Sequence, residues 1–213
     1  MKDLIIIGAG DLGRETAWVV EGINEAEPTW NILGFVDDAE EVQGTIVDGL
    51  YPVLGKIADL AKYTGEVYVV CSVSKPCVRK LIMERVMQQG NLQAATLIHP
   101  TAIIGRGAKI GKGSIISQRC LVAIDAVLGD YVFLNTYALV GHDTIIEDYC
   151  TVMSSTNLSG RLHIGTRTEI GVGSRIIQRQ HICPDTVIGA GAVVVRDITE
   201  PGTYVGVPVK KVH

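Results

Sequence analysis

"LIHPTAIIGRGAKIGKGSIISQRC", residues 97–120, falls into four lines of six: LIHPTA, IIGRGA, KIGKGS, IISQRC. The second letter of each line is Ile98, Ile104, Ile110 and Ile116, and the sixth is Ala102, Ala108, Ser114 and Cys120. The frame runs on to Ile198 without an insertion, giving 17 hexads over 102 residues. The second position is aliphatic in all 17, and the sixth is Ala, Ser, Thr, Cys or Val in 14, the exceptions being Leu162, Gln180 and Ile198. Gly follows the aliphatic residue seven times, as at Gly105, Gly111 and Gly165. A fixed period of this kind marks a solenoid, in which each unit buries its apolar residue only by stacking on its neighbours.

Composition agrees with a core of small aliphatic residues. The chain has 213 residues, 47% of them hydrophobic but only 5% aromatic, with 24 Gly. That is enough for one large or two small packed domains. The net charge of −4 comes without a block of like charges, so the basic footprint of a nucleic-acid binder is missing. The apolar run LIIIGAG is short for a signal peptide, and no segment approaches a membrane span. Five cysteines, none in CxxC spacing, suggest reduced thiols and a cytoplasmic protein.

Ahead of the repeat, residues 1–95 read as an α/β unit, with the repeat domain over 96–213. LIIIGAGDLGRETAWVV is a buried strand, a tight glycine turn and a helix starting near Asp11. Gly8, Gly10 and Gly13 satisfy GxGxxG in the strand–turn–helix setting that the motif requires. Such a turn lets backbone amides approach a phosphate at a helix N-terminus, where the partial positive charge favours anions. Gly8, Gly10, Asp11, Leu12, Gly13 and Arg14 are therefore candidate nucleotide contacts. The strand ILGFVDD ends in Asp37 and Asp38, placed to meet a ribose or base. The unit is half a dinucleotide domain, and nothing downstream resembles a hydride-transfer domain, so a mononucleotide such as the UDP of a sugar nucleotide fits better. A glycine turn that only packs a helix on a strand is the alternative.

A half-Rossmann unit followed by uninterrupted hexads resembles the bacterial hexapeptide-repeat sugar acetyltransferases. These are the UDP-4-amino-sugar N-acetyltransferases and the sialic acid O-acetyltransferases grouped with them. The resemblance runs through IIIGAGDLGR, GFVDD, IHPTA, NTYALVGHD, VIGAGAVVVRD and YVGVPVKK. It implies a left-handed parallel β-helix, although the usual crossover preference is right-handed. It also implies three hexads per 18-residue coil, with the aliphatic and small residues pointing inward. Cys120 and Cys150 then become core filler. Acetyl-CoA as donor, a sugar amine or hydroxyl as acceptor, and a homotrimer with transfer sites between adjacent β-helices are implied as well.

Within "NTYALVGHD", residues 135–143, the frame turns Val140 and Thr144 inward and leaves His142 outside. The resemblance makes Asn135, His142 and Asp143 the catalytic segment, with His142 as general base and Asp143 holding its tautomer. Imidazole, with an ordinary pKa of about 6.5, accepts a proton near neutrality. Gly160, one coil on, leaves room for the acyl group, and by resemblance its amide donates to the developing oxyanion. Arg161 falls one coil below Asp143 and is placed to pair with it. The resemblance also puts Gly173 and Ala190 along the coenzyme A channel, and the turn of Gly206, Pro208 and Lys210 at its far end.

Two positions depart from the family pattern: Leu12 and Thr151 stand where many relatives have histidines, which leaves the acceptor and the choice of N- or O-acetylation open. His163 and His181 stack one coil apart, the only hint of a metal; a γ-carbonic-anhydrase-like site needs a third histidine and a closer pair, so no metal is expected. A non-catalytic nucleotide-sugar-binding trimer is a further alternative. His99 and His213 read as structural or solvated.

Overall fold

The structure is a computed structural model that describes residues 1–212; His213 lies outside the described residues. It divides into two compact units, Met1–Leu97 and Ile98–His213.

The first unit is built on a parallel sheet. Strand β1 (Lys2–Ile7) is followed by helix α1 (Asp11–Ala26), β2 (Trp30–Val36), a short hairpin of β3 (Ile46–Val47) and β4 (Tyr51–Gly55), then β5 (Val67–Cys71), α2 (Pro76–Val86) and β6 (Leu92–Ala94). The strand order is β3-β4-β2-β1-β5-β6. Leu4, Ile5, Ile6 and Ile7 are fully buried, as the unbroken apolar run of a strand covered on both faces demands. The order reverses between β1 and β5, so a crevice opens at the carboxyl ends of those strands, where open α/β sheets bind ligands. The glycine turn lies there. Gly8 has φ +101°, and a Cβ on Gly13 would come 2.0 Å from the Gly8 carbonyl oxygen, so only glycine lets α1 pack against the turn.

The second unit is a left-handed parallel β-helix. Two-residue strands pair in parallel with the strands 18 residues on, such as Leu121–Val122 with Leu139–Val140 and that strand with Asn157–Leu158. Three ladders of such strands make the three faces. From Ile116 to Val194 the second-position residues are at most 2% exposed. Ile98 and Ile104 are each 37% exposed, because the first coil has no coil before it to cover its inward residues. The sixth-position hydroxyls and thiols are satisfied inside the core: Thr144 donates to Ser159 O at 3.0 Å, Ser174 to Gly189 O at 2.8 Å and Cys150 to Gly165 O at 3.2 Å. Small polar residues are admitted to this slot because a carbonyl of the same corner or of the next coil lies within reach, as Cys183 O does for Thr186 at 2.8 Å.

The corners depend on the fifth position of each hexad. Eleven non-glycine residues there, among them Asp125, Tyr137, Asp143, Arg161 and Arg179, have φ between 56° and 64°, apart from Asp143 at 55°. Each gives up about 1 kcal/mol by visiting the left-handed region. An amide bond to the coil before offsets that cost: Asp143 N–H donates to Ile124 O at 3.1 Å and Arg161 N–H to His142 O at 2.8 Å. The fourth- and fifth-position side chains therefore project from three edges in columns of period 18.

All five cysteines are free, and only Cys77 is exposed. Burial pushes the Cys71 and Cys120 thiols up to about 11. A thiol-specific reagent is expected to titrate one cysteine in the native protein and five after unfolding. Two or more fast thiols in the folded state would contradict the packing.

Candidate active site

His142 and Asp143 occupy one corner turn, between the strands Leu139–Val140 and Ile145–Ile146. The left-handed conformation of Asp143 folds its carboxylate back on the preceding ring, and His142 Nδ1 lies 2.8 Å from Asp143 Oδ2. A carboxylate only accepts, so Nδ1 carries the proton of the neutral ring, and Nε2 is the nitrogen left to accept one. Gly160 lies beneath the face of that ring: a Cβ built on it would come 2.5 Å from His142 Nε2 and 2.8 Å from both Cδ2 and Cε1. The absent side chain thus leaves a gap beneath the base, at the Nε2 edge of the ring. His142, Gly160, Arg161, Gln178 and Arg179 together line a cavity of about 260 Å³.

The hydrogen bond from His142 holds the Asp143 carboxyl below the ordinary carboxylate range, and the charge of Arg161 adds to the effect. Asp143 is accordingly ionised at neutral pH and free to stabilise an imidazolium. Arg161 Nε stands 3.5 Å from Asp143 Oδ2, the oxygen that also takes the imidazole. Proton acceptance at Nε2, charge compensation at Nδ1 and a gap beneath the ring suit removal of a proton from a nucleophile attacking a carbonyl.

The other residues singled out from the sequence lie elsewhere in the chain. Asn135 is 8% exposed at the preceding corner, with the strand Leu139–Val140 between it and His142, and its Oδ1 accepts the Thr136 amide at 2.6 Å. Gly173 and Ala190 belong to that same corner column, two and three coils further on; a Cβ on Gly173 would meet nothing within 4 Å. One chain therefore gathers His142, Asp143 and Gly160 on one edge, and Asn135, Gly173 and Ala190 on another. Gly206, Pro208 and Lys210 lie on the hairpin formed by Gly202–Val205 and Lys210–Lys211, with Lys210 exposed and Lys211 paired to Glu200 at 3.2 Å. Thr151 is fully buried, so its side chain meets no solvent. His163 Nε2 lies 2.7 Å from Glu147 Oε1, and its ring packs edge-on against His181. Among the described residues no group of three or more His, Cys, Asp or Glu is placed to hold a metal ion.

In the first unit, Gly8, Gly10, Asp11, Leu12, Gly13 and Arg14 form the turn and the first helical residues beside the β1/β5 crevice. Asp37 works mainly on the backbone. Its Oδ2 accepts the Ala9 amide at 2.8 Å and its Oδ1 the Ala39 amide at 2.9 Å, fastening the glycine turn to the end of β2. Asp38 accepts the Ile57 amide at 3.0 Å, and Arg14 is held by Asp48 at 2.7 Å. A residue not found from the sequence is Ser72, just past β5. It is 6% exposed, and its hydroxyl has no partner among the described residues. Gln178 and Arg179 were also missed, although the 18-residue column through His142 and Asp143 leads to both.

A free imidazole nitrogen held over a side-chain-free gap, on the edge of a hexad prism, is the equipment of a hexapeptide-repeat acyltransferase. Residues 3–86 match the family described as the PglD N-terminal domain. GDP-perosamine N-acetyltransferase of Escherichia coli O157:H7 is 29% identical over 187 residues, covering 87% of this chain and 82% of the relative. The acetyltransferase domain of PglB from Neisseria gonorrhoeae FA1090, solved with acetyl coenzyme A, superposes with a TM-score of 0.91 at 31% identity over 99% of both chains. A histidine-to-alanine variant of GDP-perosamine N-acetyltransferase from Caulobacter crescentus, solved with CoA and GDP-perosamine, gives a TM-score of 0.89 at 26% identity over 100% of this chain and 98% of that one. The chain belongs to the hexapeptide-repeat sugar acetyltransferases.

Proposed function

We propose that this enzyme transfers the acetyl group of acetyl-CoA to the amine of a nucleotide-activated amino sugar. The observation that carries the proposal is the His142 ring, held by Asp143 at Nδ1 and placed with Nε2 above the gap at Gly160. The neutral acceptor amine attacks the thioester carbonyl, Nε2 takes the proton it loses, and the tetrahedral intermediate expels the CoA thiolate. The backbone amide of Gly160 is the oxyanion donor. The glycine turn, the start of α1 and Ser72 hold the acceptor's nucleotide. A nucleoside diphosphate agrees with what the Caulobacter relative was solved with.

The working form is a homotrimer. Asn135, Gly173 and Ala190 stand on a different edge from His142 and Gly160, so one chain presents two half-sites, and a cyclic assembly closes each edge against its counterpart in the next copy. Coenzyme A lies along the seam, with Gly206, Pro208 and Lys210 at its outer end. The cytoplasm is the compartment, in keeping with five free cysteines. Among the described residues no helix is long and apolar enough to cross a membrane.

Release of free thiol from acetyl-CoA, followed across a panel of nucleotide amino sugars and sialic acids, tests the activity. Turnover with an amino sugar, and a product heavier by one acetyl group on nitrogen, is expected. Turnover with sialic acids alone would make the enzyme an O-acetyltransferase. Binding of a nucleotide sugar with no thiol release on any acceptor would leave a binding protein.

A further inference from the structure

We infer that Arg161 is a positioning residue for the transfer: it anchors the Asp143 carboxylate so that the His142 ring stays above Gly160 with Nε2 as its accepting nitrogen. This rests on the reading of His142 as the base. Asp143 Oδ2 is the pivot, because it takes His142 Nδ1 at 2.8 Å and faces Arg161 Nε at 3.5 Å. Side chains of all three are about half exposed, at 58% for His142, 48% for Asp143 and 56% for Arg161. An exposed carboxylate with one partner rotates readily toward water, and the imidazole then loses the contact that sets its tautomer.

Arg161 is well fixed to prevent that. Its amide donates to His142 O at 2.8 Å, so its Cα is locked one coil below the dyad, and its own φ of 60° directs the side chain out along the edge. The column it belongs to reads Asp125, Asp143, Arg161, Arg179, Asp197. The sign changes between Asp143 and Arg161, and the like charge of Arg179 on the next coil favours an Arg161 side chain turned toward Asp143 rather than away. His142, Arg161, Gln178 and Arg179 all line the same cavity, so the anchor stands where acetyl transfer is proposed to occur. An exposed ion pair contributes little to stability, so the fold does not explain its presence.

The rival role is direct contact with the donor, since Arg161 borders the cavity. Steady-state kinetics on Arg161→Gln, Arg161→Lys, Asp143→Asn and the double variant Arg161→Gln/Asp143→Asn separates the two. Arg161→Gln is expected to lower kcat about 10-fold, with KM for acetyl-CoA changed less than about 2-fold. Arg161→Lys should recover most of that loss, because a point charge can still reach the carboxylate. In the Asp143→Asn background the Gln substitution should cost nothing further, since an anchor acts only through what it holds. Arg161→Asn, whose side chain suits the left-handed region, repeats the measurement if the Gln variant folds poorly. An equal loss with and without Asp143, a loss carried by KM for acetyl-CoA, or an unchanged kcat would each overturn the inference. Failure of His142→Ala to lower turnover would instead remove the reading it rests on.

Discussion

His142→Ala should lower kcat by about 10²–10⁴-fold, the range over which a positioned general base contributes. The size of the effect follows from the absence of a substitute. Within the cavity the other polar side chains are Arg161, Gln178 and Arg179, two permanent cations and an amide, and none of them accepts a proton near neutrality. Asp143 loses its hydrogen bond from the imidazole in this variant but still faces Arg161 at 3.5 Å, and a carboxylate is a weaker base than imidazole. The variant should fold normally. The His142 side chain is 58% exposed, so its removal opens no core cavity, and the His142 carbonyl that accepts the Arg161 amide is backbone. Affinity for acetyl-CoA and for the acceptor should therefore stay within a few fold of the parent while thiol release collapses. The check is thiol release together with the melting temperature and equilibrium binding of both ligands. A folded variant that keeps turnover within about tenfold of the parent would take the base role away from His142.

Much of this site follows from arithmetic on the sequence. A period of six with an aliphatic second position sorts inward from outward residues, and a coil of 18 puts Gly160 beneath His142. Pairing of Leu139–Val140 with Asn157–Leu158 is that arithmetic in hydrogen bonds. The corner conformation was not legible: eleven fifth-position residues adopt a positive φ with side chains as large as Tyr and Arg, where local propensity would ask for Gly or Asn. Stacking supplies the amide bonds that override the preference. Asn135 shares a short segment with His142, yet seven residues is one more than a hexad, which carries it to the previous corner. Asp37 shows a different limit. An acid at the end of β2 fits a ribose hydroxyl and a backbone amide equally well on spacing alone, and here it accepts from Ala9 and Ala39. Ser72 carries no motif at all; what marks it is a buried hydroxyl without a partner among the described residues, a property of the packing around β5.

Gly160→Ala should cost about 10²-fold in kcat/KM while leaving the β-helix intact. The added methyl would come 2.5 Å from His142 Nε2 and 2.8 Å from both Cδ2 and Cε1, so the imidazole has to swing aside. That motion is cheap for the fold, because the ring is at a solvent-exposed edge and moves for about 0.5–1.5 kcal/mol of rotamer strain. The backbone also accepts alanine, since Gly160 is not among the positive-φ glycines. Chemistry suffers instead. The methyl fills the space where the acyl carbon must approach, and it displaces the nitrogen that must take the proton; misplacement by about 1 Å is enough for a loss of this order. Both kcat and KM for acetyl-CoA should change, unlike His142→Ala, where kcat alone falls. Gly65→Ala is the matched control: its Cβ would meet nothing within 4 Å, and activity should equal the parent's. If Gly160→Ala turned over at the parental rate, the gap beneath the imidazole would not be where the acetyl group passes, and the transfer site would have to lie on another edge of the prism.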